Sequence, residues 1–287
     1  MVKRILITLL CLSLIISVCA FVFFPLPGYV PVLMYHFLYP KSEVVPEASS
    51  LNVATEDFQK QMWFLKTFGF RPISLDEYYE IKTGLRKPQG REVVITFDDG
   101  HHSYLDRALP VLEQYQFKSV NFLVWKWLTG DQKDYIHLSE AKNLSGNPLV
   151  DLQSHTVNHP NLAQISLSEA KTEITQSKID LENALGRKIK YLCYPEGSFT
   201  PEIMKLAEQA GYQLAFRTSL KFYKSYPETP YSIVRIKVSP KYNLFVFWWY
   251  VSGMGHYAKE IDHFFHRLTL AMTGGTLTPY KPSLTAT

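Results

Sequence analysis

Short apolar runs alternate along this chain with longer stretches in which apolar residues return every three or four positions. The runs at 30–35, 93–97, 119–124, 149–153, 189–194, 213–217 and 233–238 read as strands, mostly buried on both faces. Between them lie helical stripes. Thr55 caps one with an acidic first turn, and Phe58, Met62 and Leu65 carry it to Gly69. Ser74 and Glu77 form a capping box for a second helix that stops near Gly84, and a third runs through Leu105, Leu109 and Leu112. Ser166 and Glu169 make another capping box, whose helix turns Ala170, Ile174, Leu181 and Leu185 inward and ends at Gly186. Thr200, Pro201 and Gly211 bracket the last. Strands alternating with helices predict a parallel α/β fold, with its chemistry at the C-terminal ends of the strands.

The N-terminus breaks this rhythm. Lys3 and Arg4 precede an almost uninterrupted apolar run from Ile5 to Phe24. About 20 such residues span a bilayer, and the basic flank holds the N-terminus in the cytoplasm with the remainder outside. Ser17-Val18-Cys19-Ala20 is a poor cleavage site, so residues 1–24 read as an uncleaved membrane anchor rather than a removed signal. Residues 25–29 are a short Pro/Gly linker, 30–240 the catalytic domain, and 241–287 a C-terminal extension of unassigned role that ends in a loose tail. The expected location is extracytoplasmic, membrane-anchored, or secreted if the segment is cleaved.

Composition adds little. The net charge of +4 comes without any dense Lys/Arg block, which excludes an obvious nucleic-acid partner. Cys11 and Cys19 lie in the anchor, leaving Cys193 without a partner for a disulfide in the body.

The chemistry concentrates in two stretches. Val93 to Phe97 ends in Asp98-Asp99-Gly100, two adjacent carboxylates that resist joint ionisation unless a cation or proton intervenes. Side chains diverge at a strand end, so one acid is free to hold a metal while the other handles a proton. His155-Thr156-Val157-Asn158-His159-Pro160 supplies two histidines four apart, on a loop because Pro160 disfavours a continuing helix. One carboxylate and two imidazoles make an open ligand set of the kind catalytic zinc requires.

Thr96-Phe97-Asp98-Asp99-Gly100 together with His155-Thr156-x-x-His159-Pro160 resembles the polysaccharide deacetylases, the NodB-homology family or carbohydrate esterase family four. The resemblance implies a distorted (β/α) barrel of fewer than eight strands, about seven by the runs above. It implies removal of N-acetyl groups from an N-acetylglucosamine polysaccharide with a divalent metal, most often Zn2+. By the family pattern Asp98 is the general base, and Asp99, His155 and His159 are the metal ligands. An oxyanion would be met by a backbone N–H near Glu196, in the Tyr194-Pro195-Glu196-Gly197 turn.

The chain departs from that pattern twice. The late Leu-x-His motif that usually supplies the acid is missing, and Arg235-Ile236-Lys237-Val238-Ser239 stands there instead. An early strand ends in Tyr35-His36, which resembles the branch acting on poly-β-1,6-N-acetylglucosamine and assigns His36 as the acid for the leaving amine. The third motif lacks its Arg, and Glu196 replaces its aromatic. Arg235 is the candidate to steady the base in its place. Two other readings stay open: a catalytically silent glycan binder, and a deacetylase of peptidoglycan or chitin-type β-1,4 polymers. A glycosidase using Asp98 and Asp99 is disfavoured by their divergence, since retaining enzymes hold their carboxyls about 5 Å apart across the substrate. His101 and His102 read as solvated loop residues, and Phe245 to Val251 as a core or edge segment.

Overall fold

In a computed structural model, residues 28–43, 50–218 and 228–255 are described. The N-terminal apolar run, the C-terminal tail and His256, His263 and His266 lie outside them. Among the described residues no helix is long and apolar enough to cross a membrane.

The seven expected strands form one closed barrel. They are β1 (Val32–Tyr35), β5 (Glu92–Phe97), β6 (Ser119–Leu123), β7 (Val150–Ser154), β8 (Tyr191–Cys193), β9 (Leu214–Thr218) and β10 (Ile233–Lys237). All neighbours are parallel and follow chain order, and β1 closes the ring: Leu33 pairs with Ile236 on one side and Ile95 on the other. The two-residue β4 (Arg71–Pro72) extends β5 outside the ring. A separate ribbon pairs β2 (Phe37–Tyr39) with β3 (Asn52–Ala54), immediately after β1 ends.

Strand alternation divides the core into two layers. Val94, Val120, Phe122, Tyr191, Phe216 and Ile233 fill the barrel interior. Leu33, Ile95, Leu123, Leu152 and Leu192 face outward under the helices. Those helices are α1 (Thr55–Thr67), α2 (Leu75–Lys82), α3 (Leu109–Tyr115), α4 (Trp125–Thr129), α5 (Leu138–Leu144), α6 (Leu167–Leu185), α7 (Pro201–Gln209) and α8 (Leu244–Val251). The capping boxes of α2 and α6 form as expected, and Gly186 closes α6 in the left-handed conformation at φ 66°. Ahead of α3 the chain widens into a π-turn at Tyr104–Ala108; Pro110, without an N–H, cannot donate into the preceding turn.

The aromatic run at 245–251 is a helix packed on the core. Asn243 caps it, accepting from the Val246 N–H, and Phe247 lies edge-on to Phe64 of α1 at 6.0 Å. Phe247, Trp248, Val251 and Met254 are buried in the same core, so the folded body runs past residue 240.

Candidate active site

The C-terminal mouth of the barrel collects the chemistry. Asp98 and Asp99 leave β5, His155 and His159 leave β7, His36 leaves β1, and Arg235 rises from within β10. The loops that carry them are unusual in backbone. Asp99, Thr156, His159 and Glu196 all have positive φ, at 73°, 70°, 61° and 57°. For a β-branched Thr this is costly, and such strain persists where the surroundings over-determine a geometry, as at functional sites. Thr156 contributes to that determination, its Oγ1 accepting from the His159 N–H.

The two carboxylates have opposite environments. Asp98 is buried and receives Arg235 in a fork, with Nη1 donating to Oδ1 and Nη2 to Oδ2, both at 2.6 Å. Burial alone would raise its pKa, but the charge and hydrogen bonds of Arg235 more than reverse this and hold Asp98 ionised. Asp99 has no such partner. Burial, then the charge of Asp98, push it up to about 7, and its buried Oδ1 accepts no hydrogen bond.

That orphaned oxygen is where the two imidazoles converge. The Nε2 atoms of His155 and His159 each stand 3.5 Å from Asp99 Oδ1. The Nδ1 of His155 lies 2.8 Å from the Cys193 carbonyl, which fixes the proton there and leaves the Nε2 lone pair facing Asp99. Burial lowers the pKa of both rings, His155 to about 3, so both are neutral at pH 7. All three donor atoms lie within 4.8 Å of one another. An unpaired carboxylate oxygen and two neutral imidazoles in a buried pocket fit a divalent cation. Asp98, His155 and Cys193 also cluster, but both Asp98 oxygens are committed to Arg235.

His36 stands across from the base, Nε2 to Asp98 Oδ2 at 3.7 Å. Burial brings its pKa down to about 4, opposed by Asp98, so the resting imidazole is neutral.

Residues 86–215 match the family model described as polysaccharide deacetylase. That segment is a polysaccharide deacetylase domain. Among curated relatives, Bacillus subtilis YxkH, itself assigned by name to polysaccharide deacetylases, is 28% identical over 228 residues, covering 79% of this chain and 78% of its own. A Staphylococcus epidermidis poly-β-1,6-N-acetyl-D-glucosamine N-deacetylase is 26% identical over 204 residues, covering 67% and 70%. Among solved structures, the Streptococcus pyogenes deacetylase PplD in complex with acetate superposes with a TM-score of 0.67 at 26% identity, covering 75% of this chain and 95% of that one.

Within this deacetylase fold the β8 turn divides its candidates. The Tyr194 side chain leaves the site: its hydroxyl donates to the Tyr231 carbonyl and its ring stacks on Phe199. Pro195 is buried, and Glu196 stands exposed on the rim. The N–H groups of Tyr194, Gly197 and Ser198 bond backbone carbonyls, and that of Glu196 makes none of these turn bonds.

Sequence reasoning missed an aromatic wall. His101 is half-buried rather than solvated, within ring contact of Phe37, Tyr39 and Tyr135. Tyr135 meets Trp127 at 4.6 Å, and Trp127 stacks on His159 at 5.1 Å. The wall thus runs from Phe37, beside His36, to the metal-ligand candidate His159. No periodic signal marks it, because its rings come from β2, α4 and two loops far apart in the chain. His102 is half-buried too, held between Asp106 and Glu140 at 3.0 Å each.

Proposed function

We propose that this deacetylase is a metal-dependent hydrolase that removes N-acetyl groups from an extracytoplasmic N-acetylglucosamine polysaccharide. The observation that carries the reading is the pairing of an ionised Asp98 with an open set of donor atoms at its neighbour Asp99 and at His155 and His159. Those three residues would hold the cation, with Zn2+ suited to one carboxylate and two imidazoles. When bound, the metal supplies Lewis-acid polarisation and lowers the pKa of water toward about 7.

The residues of the chain do the rest. Asp98, kept ionised by Arg235, accepts the proton of the attacking water. The N–H of Glu196 is the donor aimed at the developing oxyanion. His36, neutral at rest and 3.7 Å from Asp98, relays a proton to the leaving amine. One proton taken by Asp98 and one delivered through His36 balance the hydrolysis, with the hydroxyl leaving on acetate. The position of His36 at the end of β1, and the Staphylococcus epidermidis relative, favour a β-1,6-linked polymer over a β-1,4-linked one. The apolar N-terminal run supports a membrane anchor with the barrel outside the cytoplasm.

Acetate release from β-1,6- and β-1,4-linked N-acetylglucosamine oligomers, with and without zinc, tests this directly. Zinc-dependent acetate that disappears in Asp98→Asn is the expected result. New reducing ends in place of acetate would point to a glycosidase. A bound metal with no product from any oligomer would point to a silent binder.

A further inference from the structure

Along the buried stretch from Tyr191 to Phe199, Glu196 is the one exposed residue. Its placement is rigid. The backbone sits in the left-handed region at φ 57° and ψ 6°. The next residue, Gly197, is pressed so closely on β9 that a Cβ there would lie 2.6 Å from Thr218 Oγ1. The carboxylate itself is held by Asn161, whose Nδ2 donates to Oε2 at 2.8 Å, and Asn161 is in turn hydrogen-bonded by the Ser198 hydroxyl. A surface glutamate ordinarily keeps its rotamer freedom; this one is fixed on the rim beside His159, near enough for its charge to act on that imidazole.

The end of β10, separated from that turn by β9, carries the opposite charge. Lys237, at the end of β10, donates to Ser50 Oγ at 2.7 Å and lies within electrostatic reach of His36. The mouth is therefore polarised, cationic at the proton donor and anionic at the ligand triad. A fully acetylated glycan is neutral and gains nothing from a fixed carboxylate. The reaction, however, leaves a primary amine on each processed sugar, and that amine is an ammonium ion below its pKa. An exposed carboxylate outside the ligand triad lies where a sugar next to the reacting one would pass.

Resting on the deacetylase reading above, we propose that Glu196, positioned by Asn161, binds the ammonium of an already deacetylated sugar adjacent to the one being processed. The enzyme then prefers partly deacetylated chains to fully acetylated ones. An ion pair at a partly exposed rim is worth about fivefold in kcat/KM, screened by salt.

The test uses the zinc-loaded full chain and two β-1,6-linked oligomers of equal length, one fully acetylated and one carrying a single glucosamine beside the remaining acetylated sugars. The preference for the mixed oligomer, about fivefold in kcat/KM, should fall to about one in Glu196→Gln and in the wild type at high salt. An equal preference in wild type and Glu196→Gln, or one indifferent to salt, overturns the inference and leaves the deacetylase reading intact. If neither oligomer yields acetate, that reading fails, and calorimetric titration with a glucosamine oligomer decides the inference separately. Tighter binding than to the acetylated oligomer, lost in Glu196→Gln, supports it; equal binding in both proteins overturns it.

Discussion

Arg235 and Asp98, 137 positions apart in the chain, meet as a fork of two 2.6 Å hydrogen bonds in the barrel mouth, where neither side chain reaches solvent. The pairing resolves the problem posed by two adjacent buried acids. Asp98 keeps its charge through Arg235, and Asp99, left without a cation, is pushed toward neutrality. Neighbouring carboxylates with opposed environments take separate roles. Arg235 also touches Cys193 Sγ at 3.0 Å and Thr96 Oγ1 at 3.1 Å, which fixes the plane of the guanidinium.

Replacing Arg235 by Lys keeps a charge but loses the fork. We expect kcat/KM to fall about 10- to 100-fold, the scale of one misplaced catalytic contact. The sign of the pH effect follows from the depressed pKa of Asp98. Weakening the pair raises that pKa, so the base becomes protonated at a higher pH and the acid limb of the profile moves up. A profile of kcat/KM from pH 4 to 8 checks this; an unmoved limb removes Arg235 from any role in tuning the base. Arg235→Ala is the poorer probe, since leaving one buried charge unpaired costs about 3–5 kcal/mol of stability.

Asp99 gives metal binding a proton signature. With its pKa near 7 and both imidazoles already neutral at that pH, cation binding at pH 7 should release about half a proton, all of it from Asp99. Release should grow toward pH 6 and vanish toward pH 8. Calorimetric zinc titrations in buffers of different ionisation enthalpy measure it, and Asp99→Asn should lose both the proton and the tight site. Metal binding without a pH-dependent proton would remove Asp99 from the ligand set. A chelator should lower the Tm of the loaded wild type and leave that of Asp99→Asn unchanged.

The barrel was legible because each of its strands is a short apolar run, and α2, α6 and α7 carry their own caps; α1 instead starts after Ala54 with no side-chain cap, so Thr55 is its first residue and not its cap. Asp98, Asp99, His155 and His159 were legible as a cluster because two short stretches at strand ends carry them, and the fold brings those ends together at the barrel mouth. Arg235 was legible only through an absence, the missing arginine of the third motif, which left one cation near a strand end. Trp127 and Tyr135 were not legible. Their part in the site depends on how separate segments fold back over the barrel mouth, and nothing local records that. The helix at Leu244–Val251 was ambiguous for another reason: eight consecutive apolar residues carry no period to separate helix from strand.

Trp127 therefore makes a prediction of its own. Its indole stacks on His159 at an interplanar angle of 28° and touches Tyr135, so it limits the motion of a ligand held otherwise by a strained loop. Trp127→Ala should weaken zinc affinity about tenfold, in the range seen when a ligand's supporting contact is removed. Trp127→Phe should restore most of it. If zinc affinity is unchanged while KM rises, the ring serves the sugar and not the ligand.

Acid stability should depend on a residue far from the site. Glu77, in the first turn of α2, lies at the other end of the barrel and joins Lys118 Nζ, the Ser74 N–H and Arg71 Nη1 at 2.8–3.0 Å. Partial burial raises its pKa, but these bonds outweigh that and bring it from 4.5 down to about 2. A folded-state pKa below the unfolded one contributes stability that is complete above about 4.5 and is lost as pH falls toward 2. The carboxylate is partly exposed, so after solvent screening the effect is on the order of 1 kcal/mol. Glu77→Gln should then be less stable than wild type at pH 7, and the gap should close as urea melts are repeated between pH 5 and pH 2. A gap that holds constant across that range would assign the loss to the shape of the side chain and not to its charge.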